Sequence, residues 1–118
     1  MKRLLLPATM LVVLALAGTN CTSLAEPAKA ESISVSWVTM DLLVELRPTD
    51  AAQAGMNYVV ELYEKGKLRA TSTVRWSAVE LNVKEKKYVS FPLTHEEGQV
   101  YWMKDLSHIF SVKVHEWR

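Results

Sequence analysis

Residues Met56 to Trp76 read MNYVVELYEKGKLRATSTVRW, and the parity of this stretch decides the fold. Met56, Tyr58, Val60 and Leu62 occupy alternate positions up to Glu64-Lys65-Gly66-Lys67, and Leu68, Ala70, Ser72, Val74 and Trp76 alternate on the way back. Period two is the mark of a strand with one buried and one wet face. Gly66 supplies the positive φ that a tight reversal needs. The stretch therefore predicts a β-hairpin whose even-numbered side is core, with Tyr58 and Trp76 together on it. The other side of the returning strand, Arg69, Thr71, Thr73 and Arg75, is polar at every position.

Outward from the hairpin the same period recurs. On the N-terminal side Ile33, Val35 and Trp37 share one parity and Leu42, Val44 and Leu46 the other, which implies a bulge, a bend or a change of sheet near Trp37-Val38. Pro48 ends that segment, because it cannot continue a central ladder. On the C-terminal side Val79, Leu81 and Val83 read as a strand, Lys84 to Lys87 as a turn, and Tyr88 to Leu93 as a strand. His95-Glu96-Glu97-Gly98 reads as a further turn, and Val100–Met103 and Ile109–Trp117 as the closing strands. About seven short strands, turn signals roughly every eight to twelve residues and no amphipathic helix predict an all-β chain with a single immunoglobulin-like β-sandwich.

The beginning of the chain sets the expected location. Lys2 and Arg3 precede an apolar run from Leu4 to Ala17, followed by small-residue patterns at Ala15-Leu16-Ala17 and Ser23-Leu24-Ala25. This is the layout of a secretory signal peptide. A run of about fourteen residues is short against the roughly twenty that span a bilayer. The expected organisation is a signal peptide over 1–25, a flexible leader over 26–31 and the β-sandwich over 32–118, periplasmic or secreted, with no membrane span. Gly18-Thr19-Asn20 before Cys21 is only half a lipidation motif, so Cys21 is expected to leave with the signal; a lipid anchor at Cys21 is the alternative. The mature chain then has no cysteine and depends on its core. Whole, the chain has 14 Lys+Arg against 13 Asp+Glu, and without Lys2 and Arg3 the balance is acidic by one. That argues against a nucleic-acid partner.

Chemistry is harder to find. His95, His108 and His115 invite a metal, yet His108 and His115 are an odd number of residues apart and point to opposite faces of one strand. No Cys-x-x-Cys or His-x-His spacing supports them, and no metal or other cofactor is expected. There is no Gly-x-Ser-x-Gly elbow, no glycine-rich phosphate loop and no thiol nucleophile in the mature chain, so the reading is of a protein without catalysis. What survives is a surface. Lys65, Lys67, Arg69 and Arg75 share odd parity with Thr71 and Thr73 between them, a candidate client-binding face that Lys84, Lys86 and Lys87 would extend. Cations on an exposed strand also guard it against edge pairing. The binding reading expects an acidic, β-prone protein client met by complementary charge. Trp102 and Trp117 are each either a cover for the core or an interface anchor.

The order of segments resembles the periplasmic chaperone-inhibitors of curli amyloid assembly. The likeness covers about Ser32 to Glu116: the first alternating segment, Gly55-Met56-Asn57-Tyr58-Val59-Val60 opening a hairpin, Gly66 at its tip, a polar return with Ser72 and Thr73, and the closing Phe110-Ser111-Val112-Lys113-Val114. It implies an exported, non-catalytic single immunoglobulin-like domain that keeps amyloid subunits unassembled; the strand pattern and the lack of a retained cysteine make the expected mature domain a monomer. One branch of that family carries a Cys-x-Cys pair, which this chain lacks. The alternative is a structural accessory subunit of a cell-envelope complex, held by lipid at Cys21.

Overall fold

The computed structural model describes residues 25–117; the expected signal peptide and Cys21 lie outside them but for Ala25. In chain order the elements are β1 (Ala28–Val35), β2 (Leu42–Pro48), β3 (Tyr58–Glu64), β4 (Lys67–Val74), α1 (Ala78–Asn82), β5 (Lys87–Phe91), α2 (His95–Tyr101) and β6 (Phe110–Glu116). The fold is all-β, in two three-stranded antiparallel sheets ordered β1-β2-β5 and β4-β3-β6. Among the described residues no helix is long and apolar enough to cross a membrane.

The central hairpin forms as its parity requires. Tyr58 lies opposite Val74 and Val60 opposite Ser72, and the two-residue turn has φ of 51° at Lys65 and 83° at Gly66. Two positive φ values give the turn the same hand of twist as its strands. Tyr58, Val60, Leu62, Val74 and Trp76 are buried, and the Tyr58 and Trp76 rings meet at 6.4 Å between centroids. Both polar tips are satisfied: the Gln53 amide donates to Tyr58 Oη at 2.8 Å, and Trp76 Nε1 donates to the Glu85 carbonyl at 2.7 Å. Leu42, Val44, Leu46, Val89 and Phe91 face them from the other sheet, with Leu106, Phe110 and Val114 completing the core. Each such side chain contributes about 1.5–3 kcal/mol by leaving water.

Four expectations are corrected. There are six strands among the described residues, against about seven, because Val79-Leu81-Val83 and the segment after Thr94 are helical. Each helix starts at a reciprocal cap. Ser77 Oγ accepts from the Glu80 amide at 3.1 Å while Glu80 accepts from the Ser77 amide at 2.8 Å. Thr94 and Glu97 exchange the same pair at 3.1 and 2.9 Å. These caps satisfy amides that a short helix would otherwise leave open. The supposed leader 26–31 largely belongs to β1, where Ala28 is fully buried opposite Pro48 and the Thr49 amide and hydroxyl hold the Pro27 and Glu26 carbonyls. Finally, the parity change near Trp37 is a chain reversal. The Ser36 amide donates to the Asp41 carbonyl and the Met40 amide to the Ser36 carbonyl, and Trp37 stands 72 % exposed in the loop.

The sheets meet along two seams without a ladder between them: β4 runs beside β5, and β1 beside β6. At one end of the molecule α2 covers the core. Gly98, its buried residue, comes so near the β1–β2 loop that a Cβ there would lie 2.9 Å from Met40 Cβ and 3.0 Å from the Met40 carbonyl oxygen.

Candidate functional site

The six residues of the expected client-binding face do not form one cationic surface. Between Leu62↔Ala70 and Tyr63↔Leu68 the register shifts, leaving Arg69 as the extra residue of a β-bulge. A bulge re-aims its side chain, and Arg69 turns to Glu64 and to both carboxylate oxygens of Glu97, at 2.7 and 2.9 Å for the latter. Its charge is thus engaged by two carboxylates. Lys65 and Lys67 stand exposed at the hairpin tip and Arg75 just beyond the other end of β4. Thr71 and Thr73 are exposed between them, opposite Glu61 and Val59. Glu61 sits in the middle of this sheet face, accepting from Tyr63 Oη at 3.0 Å and lying 3.3 Å from His115 Nε2, while Lys113 stacks over the Tyr63 ring. The face is mixed in sign.

Around Arg69 the missed residues assemble. Tyr101 Oη donates to Glu64 at 2.9 Å, and the Tyr101 ring meets Phe110 edge-on at 5.3 Å. Glu97 is held down to about 2 by the Arg69 guanidinium first and the Thr94 amide second. Glu64 is lowered chiefly by Arg69, and Tyr101 is raised by its bond to Glu64. Arg69 is raised in turn by Glu97 and Glu64. The cluster fastens α2 to the hairpin. The signal in the sequence was the Thr94-x-x-Glu97 capping pattern.

Lys84, Lys86 and Lys87 do not extend the cationic set. They pair with Asp50 at 3.2 Å, Glu31 at 2.8 Å and Glu80 at 2.9 Å, respectively. The histidines do not converge: His95 meets Gln99, His108 lies near Asp105, and His115 faces Glu61. Among the described residues no group of three or more His, Cys, Asp or Glu side chains is placed to hold a metal ion. Trp102 is 39 % exposed and Trp117 61 %, so neither is a core residue.

A concave feature of the molecule runs along the β1/β6 seam. Two clefts lie in line there, of about 330 and 380 Å³. One is bordered by Glu26, Glu61, Lys113 and Glu116, and the other by Glu31, Asp105 and Ser111 over a floor of Ile33, Phe110 and Val112. On β6, Phe110 and Val114 are buried, Val112 is half-buried, and the residues between them are exposed. Ile33 across the seam is half-buried too. Five carboxylates border the groove against Lys113 and His115. Glu31 and Glu61 are engaged, the first by Arg47 and Lys86 and the second by Tyr63 and His115. Glu26, Asp105 and Glu116 have no cation closer than the 4.0 Å between Asp105 and His108 among the described residues.

Set against protein-family models, curated proteins and solved structures, the chain matches none of them.

Proposed function

We infer that this chain is an exported, non-catalytic binding module that holds an aggregation-prone, β-rich protein client, acting as a monomeric periplasmic chaperone or inhibitor. The observation that carries this reading is the edge of β6. It pairs with β3 on one side, and on its other side it borders a groove with no ladder partner among the described residues. An unpaired edge beside a partly apolar groove is the physical requirement for capturing an extended segment by strand addition. The sheet order also supports a finer fold reading. With β1, β2 and β5 as one sheet and β4, β3 and β6 as the other, one more strand on the β6 edge would make up the seven of an immunoglobulin-like sandwich.

The acidic client expected from a uniform cationic face loses its basis once Arg69 is paired and Glu61 occupies that face. β-propensity of the client, not its net acidity, is what the edge would read. The test is growth of a curli-type amyloid subunit followed by a fibril-binding dye, with the exported chain added at one-twentieth to equal molar ratio. Lengthened lag or slower growth is the expected result. Unchanged growth at equal ratio removes the client-holding reading and leaves the envelope accessory subunit.

A further inference from the structure

We propose that the β1/β6 groove takes an extended strand of a partner protein that alternates apolar with basic residues, and that this strand adds to the free edge of β6. The proposal rests on the client-holding reading and names the chemistry of what is held. Three observations carry it. First, β6 already obeys period two, with Phe110, Val112 and Val114 inward and Ser111, Lys113 and His115 outward. A strand laid beside it in the same sheet has the same alternation imposed on it. Second, the inner side is incompletely closed. Ile33 and Val112 are both half-buried where the clefts open, so apolar side chains of the incoming strand have somewhere to go.

Third, the border is acidic on balance, five carboxylates against Lys113 and His115. Glu26 and Glu116 lie at one end of the groove with no ion pair among the described residues, and Asp105 lies at the other, 4.0 Å from His108. Outward side chains of the added strand lie beside Lys113 and His115 of β6 but within a border that is negative on balance, so Lys or Arg is attracted overall and Asp or Glu repelled. Like-charge juxtaposition is the more discriminating of the two effects. The other sheet edge of this half, β4, is marked oppositely, by Lys65, Lys67 and Arg75. A basic strand is thus steered to β6 and away from β4.

The probe is an eight-residue peptide alternating Val and Lys, blocked at both ends, with a Val/Glu peptide as its control. Binding to the chain as exported is read by fluorescence anisotropy, and amide exchange locates it. The Val/Lys peptide should bind about tenfold or more tighter than the Val/Glu peptide, and should slow exchange over Phe110–Glu116. Neutralising the border with Glu26→Gln, Asp105→Asn and Glu116→Gln should bring the two peptides together. Asn at 105 keeps the acceptor that Ser107 uses, so the turn survives. Equal affinities of the two peptides for the unmodified chain overturn the proposal, as does protection that appears on β4. So does a dimer in sedimentation whose β6 amides exchange slowly and are not released by peptide, since a second copy would then be the occupant. Suppression of amyloid growth without protection on β6 sinks the groove while leaving the client-holding reading intact. Peptide capture on β6 without suppression does the reverse.

Discussion

Where β4 passes into β5 the chain itself bridges the two sheets, whereas β1 and β6 come together from distant parts of the sequence. Across the first seam run Trp76, α1 and the Lys84–Lys87 segment. Trp76 is fully buried beneath this connection and bonded to the Glu85 carbonyl, and Lys87 reaches back to Glu80. Across the second seam the facing groups are two half-buried aliphatic residues and a border of five carboxylates with Lys113 and His115. The first seam pairs an eight-residue strand with a five-residue one and the second an eight-residue strand with a seven-residue one, but only the first is crossed by its own connection. A crossing connection supplies side chains at high local concentration and satisfies polar atoms on the spot. Without it, the same edges leave a groove.

The largest effect should come from the closed seam. Trp76→Ala removes the biggest buried side chain of the core and leaves the Glu85 carbonyl without its donor, a loss of about 3–5 kcal/mol. For a domain this small that is a large fraction of total stability. A urea midpoint that hardly moves would mean that the connection over β4 and β5 does not depend on its Trp. Ile33→Ala at the open seam is the matched comparison and should cost distinctly less, because half-buried Ile33 has less apolar surface to lose.

Next comes the contact between α2 and the β1–β2 loop. Gly98→Ala places a methyl at 2.9 Å from Met40 Cβ and 3.0 Å from its carbonyl oxygen, and the backbone atom cannot swing aside. About 1–3 kcal/mol of destabilisation is expected, the usual cost of overpacking. Faster amide exchange in both α2 and residues 36–41 would locate the damage. A neutral outcome would show that α2 sits loosely on this end of the core.

These two sites also mark what could and could not be seen in the sequence. The hairpin was legible because its signal is local and long: one parity over both strands, with glycine at the tip. The helices were misread although each announces itself by a capping box, Ser77-x-x-Glu80 and Thr94-x-x-Glu97. Helices of five and seven residues are too short for a 3.6-residue period to emerge, so Val79, Leu81 and Val83 imitated a strand. Arg69 was misplaced for a different reason. Parity counting assumes an unbroken ladder, and the bulge at Arg69 leaves no trace in residue type. The groove was invisible because it depends on sheet order, which no single segment encodes.

Arg69 allows a test of intermediate size. Its pair with Glu97 and Glu64 is 22–32 % exposed, between the surface and buried limits, so Arg69→Gln should cost about 1–2 kcal/mol. The pH dependence follows from Glu97, whose carboxyl sits at about 2 in the folded chain. A depressed folded value means the contribution is fully present above the ordinary carboxylate range and is lost as pH falls from there toward about 2. Chemical denaturation at several pH values should therefore show stability of the unmodified chain falling through this window, with a shallower fall for Arg69→Gln. Parallel curves would assign the acid sensitivity to other carboxylates, such as Glu80, also near 2 through the Ser77 amide and Lys87.

The smallest effect on stability should come from the remaining cations. Lys65, Lys67 and Arg75 are exposed, and replacing all three with Gln should shift stability by no more than about 0.5 kcal/mol per site. Their consequence should appear in association instead. If they guard the β4 edge, the triple variant becomes more prone to pair edge to edge, because an unprotected strand edge offers free amides and carbonyls to any other. Light scattering on concentrated samples should then rise for the variant at low salt. For the unmodified chain it should rise only as added salt shortens the Debye length to about 3 Å near 1 M. The same variant should bind the Val/Lys peptide at β6 as the unmodified chain does. Weakened peptide binding with unchanged scattering would transfer the binding role to the β4 edge. Unchanged scattering and unchanged binding together would leave the three cations as ordinary solvated surface and place the whole functional contrast between the two seams.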